Sequence, residues 1–283
     1  MVFPALPAGL RTRIAPTPSG LLHPGNGASF VLAWKLARAA GGTVLLRIDD
    51  LDEERVRPAY VEDVFRTLDW LGITWDEGPQ GPSDLDREWS QRYRMERYQA
   101  LLEGLLPLGV VYACTCSRSL LATCTCRSKA LALDGPEVTW RLSLQDAGPV
   151  RMTCWPPGDR MLRPSALMAD PVLRQRSGRP AYQVASLVDD LVYGIDFIVR
   201  GEDLLPSTGC QLHVAELVGE KAFSRVRVVH HRLETDDLGQ KLSKSQGAGS
   251  LQAMRQVGAS PKVVHQLADA MLEDLLRQAE DQA

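Results

Sequence analysis

The sequence predicts an α/β fold built on a parallel sheet, and three observations carry that prediction. Short apolar runs alternate with helical periodicities, Gly and Pro punctuate the joints, and acids or glycines stand where the apolar runs end. The pattern begins at residues 11–15, an apolar strand, followed by a turn stiffened by Pro16 and Pro18. From Asn26 the chain reads as helix, with Phe30, Ala33, Trp34 and Ala37 at helical spacing and Gly41 as its stop. Thr43-Val-Leu-Leu-Arg-Ile-Asp49 is then a buried strand ending in acids. Strand, helix, strand in this order makes a βαβ unit, whose ligands collect at the carboxyl ends of the strands. Residues 16–20 and 49–52 therefore share one crevice.

The remaining elements follow the same logic. Pro58 opens a helix that runs to Leu71 and stops at Gly72, and residues 78–86 read as loop from their Gly, Pro and Ser content. Residues 87–108 read as helical, with Tyr93, Leu101, Leu102 and Leu105 pointing inward. Residues 114–180 differ: prolines at 136, 149, 156, 157 and 164 break them into short pieces, with a strand over 138–144. They carry ten Lys and Arg against five Asp and Glu in a chain of net charge −3, a skew that suits a phosphate backbone or an ordinary solvated surface. The α/β pattern resumes at Tyr182, with strands over 197–200 and 226–230 and a helix over 207–218 capped by Ser207. The final residues are helical, with Pro261 near a helix start.

Composition sets limits. At 45% hydrophobic and 24% charged, the 283 residues are those of an ordinary globular chain and exclude a tail-driven polyanion binder. No apolar run approaches membrane-spanning length, and the N-terminus lacks a basic flank with an apolar core, so a cytoplasmic protein with no membrane partner is expected. Four of six cysteines fall between Cys114 and Cys126, which in that compartment points to a metal rather than to disulfides. Cys154 and Cys210 stand alone and read as small buried hydrophobes.

Two stretches carry phosphate chemistry. The helix start at His23–Asn26 offers unpaired N–H groups, a positive dipole end and two side-chain donors, although a stiff connection with a surface histidine fits equally well. Lys241-Leu-Ser-Lys-Ser245, between Gly239 and Gly247, sets two ammonium groups on a mobile loop, which alone is most simply a solvated turn. The pair gains meaning together. His23-Pro-Gly-Asn26 and Lys241-Leu-Ser-Lys-Ser245 resemble the HIGH and KMSKS signatures of class I aminoacyl-tRNA synthetases. Arg13-Ile-Ala-Pro-Thr-Pro-Ser-Gly20 and Leu46-Arg-Ile-Asp-Asp-Leu-Asp52 narrow the likeness to the glutamyl/glutaminyl group. Ala181-Tyr-Gln-Val-Ala185, Val188-Asp-Asp190 and Val199-Arg-Gly-Glu-Asp-Leu-Leu205 extend it in collinear order from residue 11 to about residue 265.

That resemblance implies a Rossmann-like parallel sheet with helices on both faces and an inserted zinc-bearing, acceptor-binding subdomain. The expected division is a catalytic domain over 1–113 and 181–248, the insertion over 114–180, and a helical segment over 249–283. It also implies ATP bound by His23, Gly25, Asn26, Lys241, Ser243 and Lys244, with His23, Asn26, Lys241 and Lys244 catalytic. L-Glutamate would be held by Arg13, Ala15, Thr17, Asp49, Tyr182 and Arg200, because guanidinium forks suit carboxylates. Asn26 stands where the family's motif has its second histidine and Asp49 where it has glutamate, one methylene shorter.

Cys114-Thr-Cys116 and Cys124-Thr-Cys126 have a spacing that closes one structural zinc site per chain, with free thiols as the alternative. The family's site has a tyrosine near the place of Cys124, while Cys126-Arg127 matches its ending. Mg²⁺ is expected with ATP. Fewer than forty residues follow Ser245, too few for the large anticodon-binding region of glutamyl-tRNA synthetases. A catalytic core of this extent resembles the glutamyl-Q tRNA(Asp) synthetases, monomeric enzymes that transfer activated glutamate to queuosine at the wobble position of tRNA(Asp). A truncated glutamyl-tRNA synthetase charging a 3′ end and a silent RNA- or partner-binding module are the alternatives.

Overall fold

The computed structural model describes residues 5–232 and 249–281. β1 (Arg11–Ile14) leads through α1 (Pro24–Ala39) to β2 (Thr43–Leu46), and the two strands pair in parallel with Arg13 opposite Leu45 and Ile14 opposite Leu46. This is the expected βαβ unit, with α1 starting two residues before Asn26. α2 (Pro58–Trp70) and the single turn α3 (Pro82–Asp84) follow.

The stretch expected as one helix over 87–108 is divided. A wide turn over Leu85–Trp89 ends at Ser90, whose backbone is extended, and a 3₁₀ turn over Gln91–Arg94 precedes α4 (Met95–Leu105). The extended residue resets the helical phase, so Tyr93 is 51% exposed and Tyr98 is the tyrosine that reaches the core. Leu102 and Leu105 are buried as expected.

Then come β3 (Val111–Cys114), β4 (Thr139–Leu142), β5 (Val150–Cys154), β6 (Arg160–Leu162), the short α5 (Pro164–Leu167) and β7 (Val172–Arg174). α6 (Tyr182–Val192), β8 (Phe197–Gly201), α7 (Leu205–Leu217) and β9 (Arg227–His231) complete the central part, and α8 (Leu251–Gln256) and α9 (Lys262–Asp281) end it. α7 starts before the expected cap: Ser207 lies inside its first turn, where its hydroxyl accepts from Gln183 Nε2 at 3.1 Å.

β3, β4 and β7 form an antiparallel sheet, while β6-β5-β9-β8 form a second sheet in which β5, β9 and β8 run parallel. Residues 150–162 therefore belong to the main sheet, although the sequence put them inside an insertion; proline-rich flanks hid a strand whose Val150 and Met152 face the core. β1 runs beside β8, tied by Asp196 N–H to Arg11 C=O at 3.0 Å and Arg11 N–H to Asp196 Oδ1 at 2.7 Å.

Strand residues point alternately to opposite faces, and here each face meets a different core. Ile14, Leu46, Phe197, Val199 and Val229 pack into a core shared with α1, α2, α8 and α9. Leu45, Ile198 and Val228 pack into the other, shared with α4, α6 and α7. With both faces covered, the strands read as continuous apolar runs rather than alternating ones. Gly27 allows α1 its close approach to the C-terminal helices, since a Cβ there would stand 2.9 Å from Leu251 Cδ1 and 3.0 Å from Val264 Cγ1. Among the described residues, no helix is long and apolar enough to cross a membrane.

Candidate active site

The same alternation sets the chemistry. Arg13 and Arg200 have the parity of Leu45 and Ile198, and Arg47 and Asp49 continue β2 on that side. Their charged groups therefore meet the inner face of α6, where Asp189 and Asp190 are fully buried.

Asp190 is the pivot. Its Oδ1 accepts from Arg13 Nε at 3.0 Å and from Arg47 Nη1 at 2.7 Å. Arg47 also grips Asp49 with both arms, Nε to Oδ1 at 2.6 Å and Nη2 to Oδ2 at 3.1 Å. Asp189 ties in the preceding layer, accepting from Arg94 Nε at 2.6 Å, Tyr98 Oη at 2.7 Å and Gln91 Nε2 at 2.9 Å. Burial works against each of these ions, and the outcome depends on the partners. Arg47 and Arg94 are held above their ordinary values despite burial, Arg47 by Asp49, Asp190 and Asp189 and Arg94 by its hydrogen-bonded ion pair with Asp189. Asp190 is held below its ordinary value despite burial by Arg13, Arg47 and Arg200, whereas burial pushes the Asp49 carboxyl up.

Arg200 is the exception. Burial pushes its guanidinium down, Arg13 and Arg47 add to that, and Asp190 offers only a contact at 3.9 Å. Its Nε and Nη2 are buried without a hydrogen-bond partner among the described residues. Four buried guanidiniums (Arg13, Arg47, Arg94, Arg200) face three buried carboxylates, and the positive charge left over lies at Arg200.

On the opposite side stands the start of α1. His23 is its N-cap: Nδ1 accepts from Asn26 N–H at 3.3 Å, and Asn26 Oδ1 accepts from His23 N–H at 3.2 Å. This reciprocal box assigns both side chains. With Nδ1 accepting, Nε2 is the His23 ring nitrogen that carries a proton; Asn26 Nδ2 makes no hydrogen bond among the described residues, and the first turn holds no acid to neutralise the dipole. Gly25 makes room for the ring, since a Cβ there would stand 3.1 Å from His23 Cε1.

Both halves open onto one cleft of about 370 Å³. Arg13, Ala15, Thr17, Asp49, Tyr182 and Arg200 line it, as do His23, Gly25 and Asn26, so every described residue nominated for ATP or glutamate is brought together. Lys241, Ser243 and Lys244 lie outside the described residues. The sequence reading missed Arg47, which lines the cleft, and Asp190, which orients two of its arginines. It also missed Ser29, Phe30, His231 and Met271 along the α1 side of the cleft. Two consecutive acids inside an apolar helix were the available signal for Asp190.

The cysteines converge separately. β3 ends at Cys114, and 3₁₀ turns over Arg118–Thr123 and Cys126–Lys129 bring the other three back beside it. All four Sγ atoms lie within 4.8 Å of one another, with Cys114–Cys124 at 3.7 Å and Cys116–Cys126 at 3.6 Å. Four sulfurs each about 2.3 Å from one tetrahedral ion stand about 3.8 Å apart, so the donor set fits zinc with Cys124 included. Arg127 clips this knuckle to the antiparallel sheet through an ion pair with Asp170, which also accepts from Tyr112 Oη at 2.8 Å.

A family model described as class I tRNA synthetases (E and Q), catalytic domain, matches residues 9–134. A glutamyl-Q tRNA(Asp) synthetase of Nitratidesulfovibrio vulgaris is 35% identical over 276 residues, covering 88% of this chain and 82% of the relative. The chain belongs to the class I tRNA synthetases of the glutamyl and glutaminyl group. Another relative in that family, a glutamate–tRNA ligase of Gluconacetobacter diazotrophicus, is also 35% identical, but the chain covers only 59% of its length. The crystal structure of a glutamate–tRNA synthetase from Elizabethkingia anophelis superposes with a TM-score of 0.67 at 25% identity over 83% of this chain. The chain spans about half of that synthetase, 52% of its length. The two-faced parallel sheet is thus the class I synthetase catalytic fold.

Proposed function

We propose that the cleft activates L-glutamate with ATP and that the protein transfers the glutamyl group to queuosine at the anticodon wobble position of tRNA(Asp). The observation that carries the first half is Arg200, a buried cation with two unpartnered nitrogens in the same cleft as an acid-free helix N-terminus. One end of the cleft suits a carboxylate and the other a polyphosphate.

In this reading Arg200 and Arg13 receive glutamate carboxylate oxygens, Tyr182 adds its hydroxyl, and Asp49 faces the α-ammonium with the lone pairs Arg47 leaves free. Ala15 and Thr17 wall the pocket. His23 and Asn26 donate to ATP phosphate, aided by Lys241, Ser243 and Lys244. The glutamate α-carboxylate oxygen attacks the α-phosphorus, the bond to the pyrophosphate oxygen breaks, and pyrophosphate leaves with its electron pair. The acceptor nucleoside then attacks the glutamyl carbonyl and AMP departs. Placement and charge supply the rate, with no covalent enzyme intermediate. Mg²⁺ entering with ATP screens its phosphates. Cys114, Cys116, Cys124 and Cys126 would hold zinc, which as a closed four-sulfur site is structural. The working unit in this reading is a cytoplasmic monomer in which residues 1–113 and 181–248, joined in their sheet by β5 and β6, form the catalytic domain, the rest of 114–180 faces the acceptor RNA, and 249–283 is a helical annex.

Relatives named glutamyl-Q tRNA(Asp) synthetase at 33–35% identity support queuosine as the acceptor. The equal identity to a glutamate–tRNA ligase keeps 3′-end charging as a second reading. Labelled glutamate incubated with queuosine-containing tRNA(Asp), unmodified tRNA(Asp) and tRNA(Glu) separates them. Label confined to the first supports the proposal, and label at the 3′-terminal adenosine of tRNA(Glu) would replace it with the second reading.

A further inference from the structure

The unpartnered edge of Arg200 has a counterpart on its other side. Arg200 Nη1 donates to Gln211 Oε1 at 2.9 Å and to Thr208 Oγ1 at 3.2 Å, both acceptors being on α7 and almost fully buried. Thr208 Oγ1 lies 2.9 Å from Nε2 of His230, which is opposite Arg200 in the β8–β9 register and so shares its face of the sheet. His230 Nδ1 lies 3.1 Å from the carbonyl of Gly201.

Proton directions follow from what each group can do. A carbonyl only accepts, so His230 Nδ1 carries a proton. Burial, with Arg200 nearby, pushes the imidazole down to about 3, so the ring is neutral and Nε2 is a lone pair. The Thr208 hydroxyl has one proton and two acceptors for it, His230 Nε2 at 2.9 Å and the Leu204 carbonyl at 3.2 Å, so with either one its lone pairs are left for Arg200. Gln211 is fixed in the same way, because the reverse orientation would set its NH₂ against a guanidinium N–H.

We infer that Thr208 and Gln211, with His230 and the Leu204 carbonyl orienting Thr208, are positioning residues that hold one arm of Arg200 so that its Nε–Nη2 edge faces the glutamate carboxylate. A guanidinium on a flexible stem would otherwise turn this edge to Asp190, whose Oδ2 is also buried without a hydrogen bond. The chain Arg200–Thr208–His230–Gly201 keeps the bidentate edge open before substrate arrives, which lowers the ordering cost of binding.

The inference rests on Arg200 being the carboxylate receptor, and its test separates the two. Glutamate-dependent ATP–pyrophosphate exchange is measured over glutamate and ATP concentrations for wild type, Thr208→Val, Thr208→Ser, Gln211→Met and Arg200→Lys. Thr208→Val and Gln211→Met should each raise the KM for glutamate roughly 10- to 100-fold while the KM for ATP stays within about twofold. Thr208→Ser, which keeps the hydroxyl, should return the glutamate KM to within about threefold of wild type. An unchanged glutamate KM in both Thr208→Val and Gln211→Met, or equal rises in both KM values, overturns the positioning role. An unchanged glutamate KM in Arg200→Lys overturns the receptor beneath it.

Discussion

The cleft and the cysteine knuckle solve the problem of buried charge in opposite ways. Behind the cleft, Asp189 and Asp190 sit at 0% exposure with arginines already in place, so the protein supplies its own counter-charges. In the knuckle, four thiols converge within 4.8 Å, and from residue 115 to residue 137 Cys126 is the one buried residue among those described. The cleft therefore carries its counter-charges within the fold, whereas the knuckle gathers four sulfur donors whose geometry fits a metal ion. Among the described buried arginines of the cleft, Arg200 is the one whose guanidinium keeps an edge without a hydrogen bond; the knuckle offers all four of its sulfurs to a ligand.

The largest effect should come from breaking the knuckle. Structural zinc sites of this kind carry roughly 10–16 kcal/mol of apparent binding free energy, so Cys126→Ser should lose zinc, measured as a fall in metal content from about one per chain, and should expose residues 115–137 to protease. Glutamate-dependent exchange should survive, because none of the cleft's residues lies in that stretch. Loss of exchange in parallel with zinc would erase the contrast between the two regions.

Next comes the cleft's own pivot. Asp190→Ala leaves Arg13 and Arg47 buried without their shared partner and should cost about 3–5 kcal/mol in denaturant unfolding, with zinc content unchanged. A cost under about 1 kcal/mol would mean that the arginines relax to other partners.

Acid should distinguish the regions more gently. His230 is held neutral in the fold, down to about 3, against about 6.5 when unfolded. Between these values the unfolded chain binds a proton that the folded one does not, so stability falls as pH is lowered through that window and the contribution is complete above it. From pH 6.5 to pH 5 the loss should be about 2 kcal/mol, and flatter in His230→Gln, read by thermal unfolding across pH.

The smallest effect should be Asn26→Ala, about 1 kcal/mol of stability from the lost capping box. Asn26→Asp should keep the cap yet slow exchange by placing a negative charge beside ATP. Equal exchange rates in both variants would reduce Asn26 to a cap.

What the sequence made legible followed the same contrast. The knuckle is local, with ligands at Cys-x-Cys spacing, so its chemistry was readable without the fold. In the cleft, the strand–helix–strand pattern pointed to a crevice beside residues 16–20 and 49–52, while Arg13, Asp49, Tyr182 and Arg200 were named through the family likeness. Asp190, Thr208 and Gln211 remained hidden because they look like ordinary helix positions until α6 and α7 pack on the sheet. Tyr93 was misread for a related reason, one extended residue at Ser90 having shifted the helical phase. Asn26, a departure from the family's motif, became intelligible once its side chain was seen closing the cap on His23.

ATP–pyrophosphate exchange by the intact protein, with glutamate, glutamine or no amino acid, tests the central claim most directly. A cleft whose uncompensated charge is Arg200 should support exchange with glutamate and at least about a hundredfold less with glutamine, which brings no charge to that cation. Equal exchange with glutamine, or none with glutamate, would contradict it.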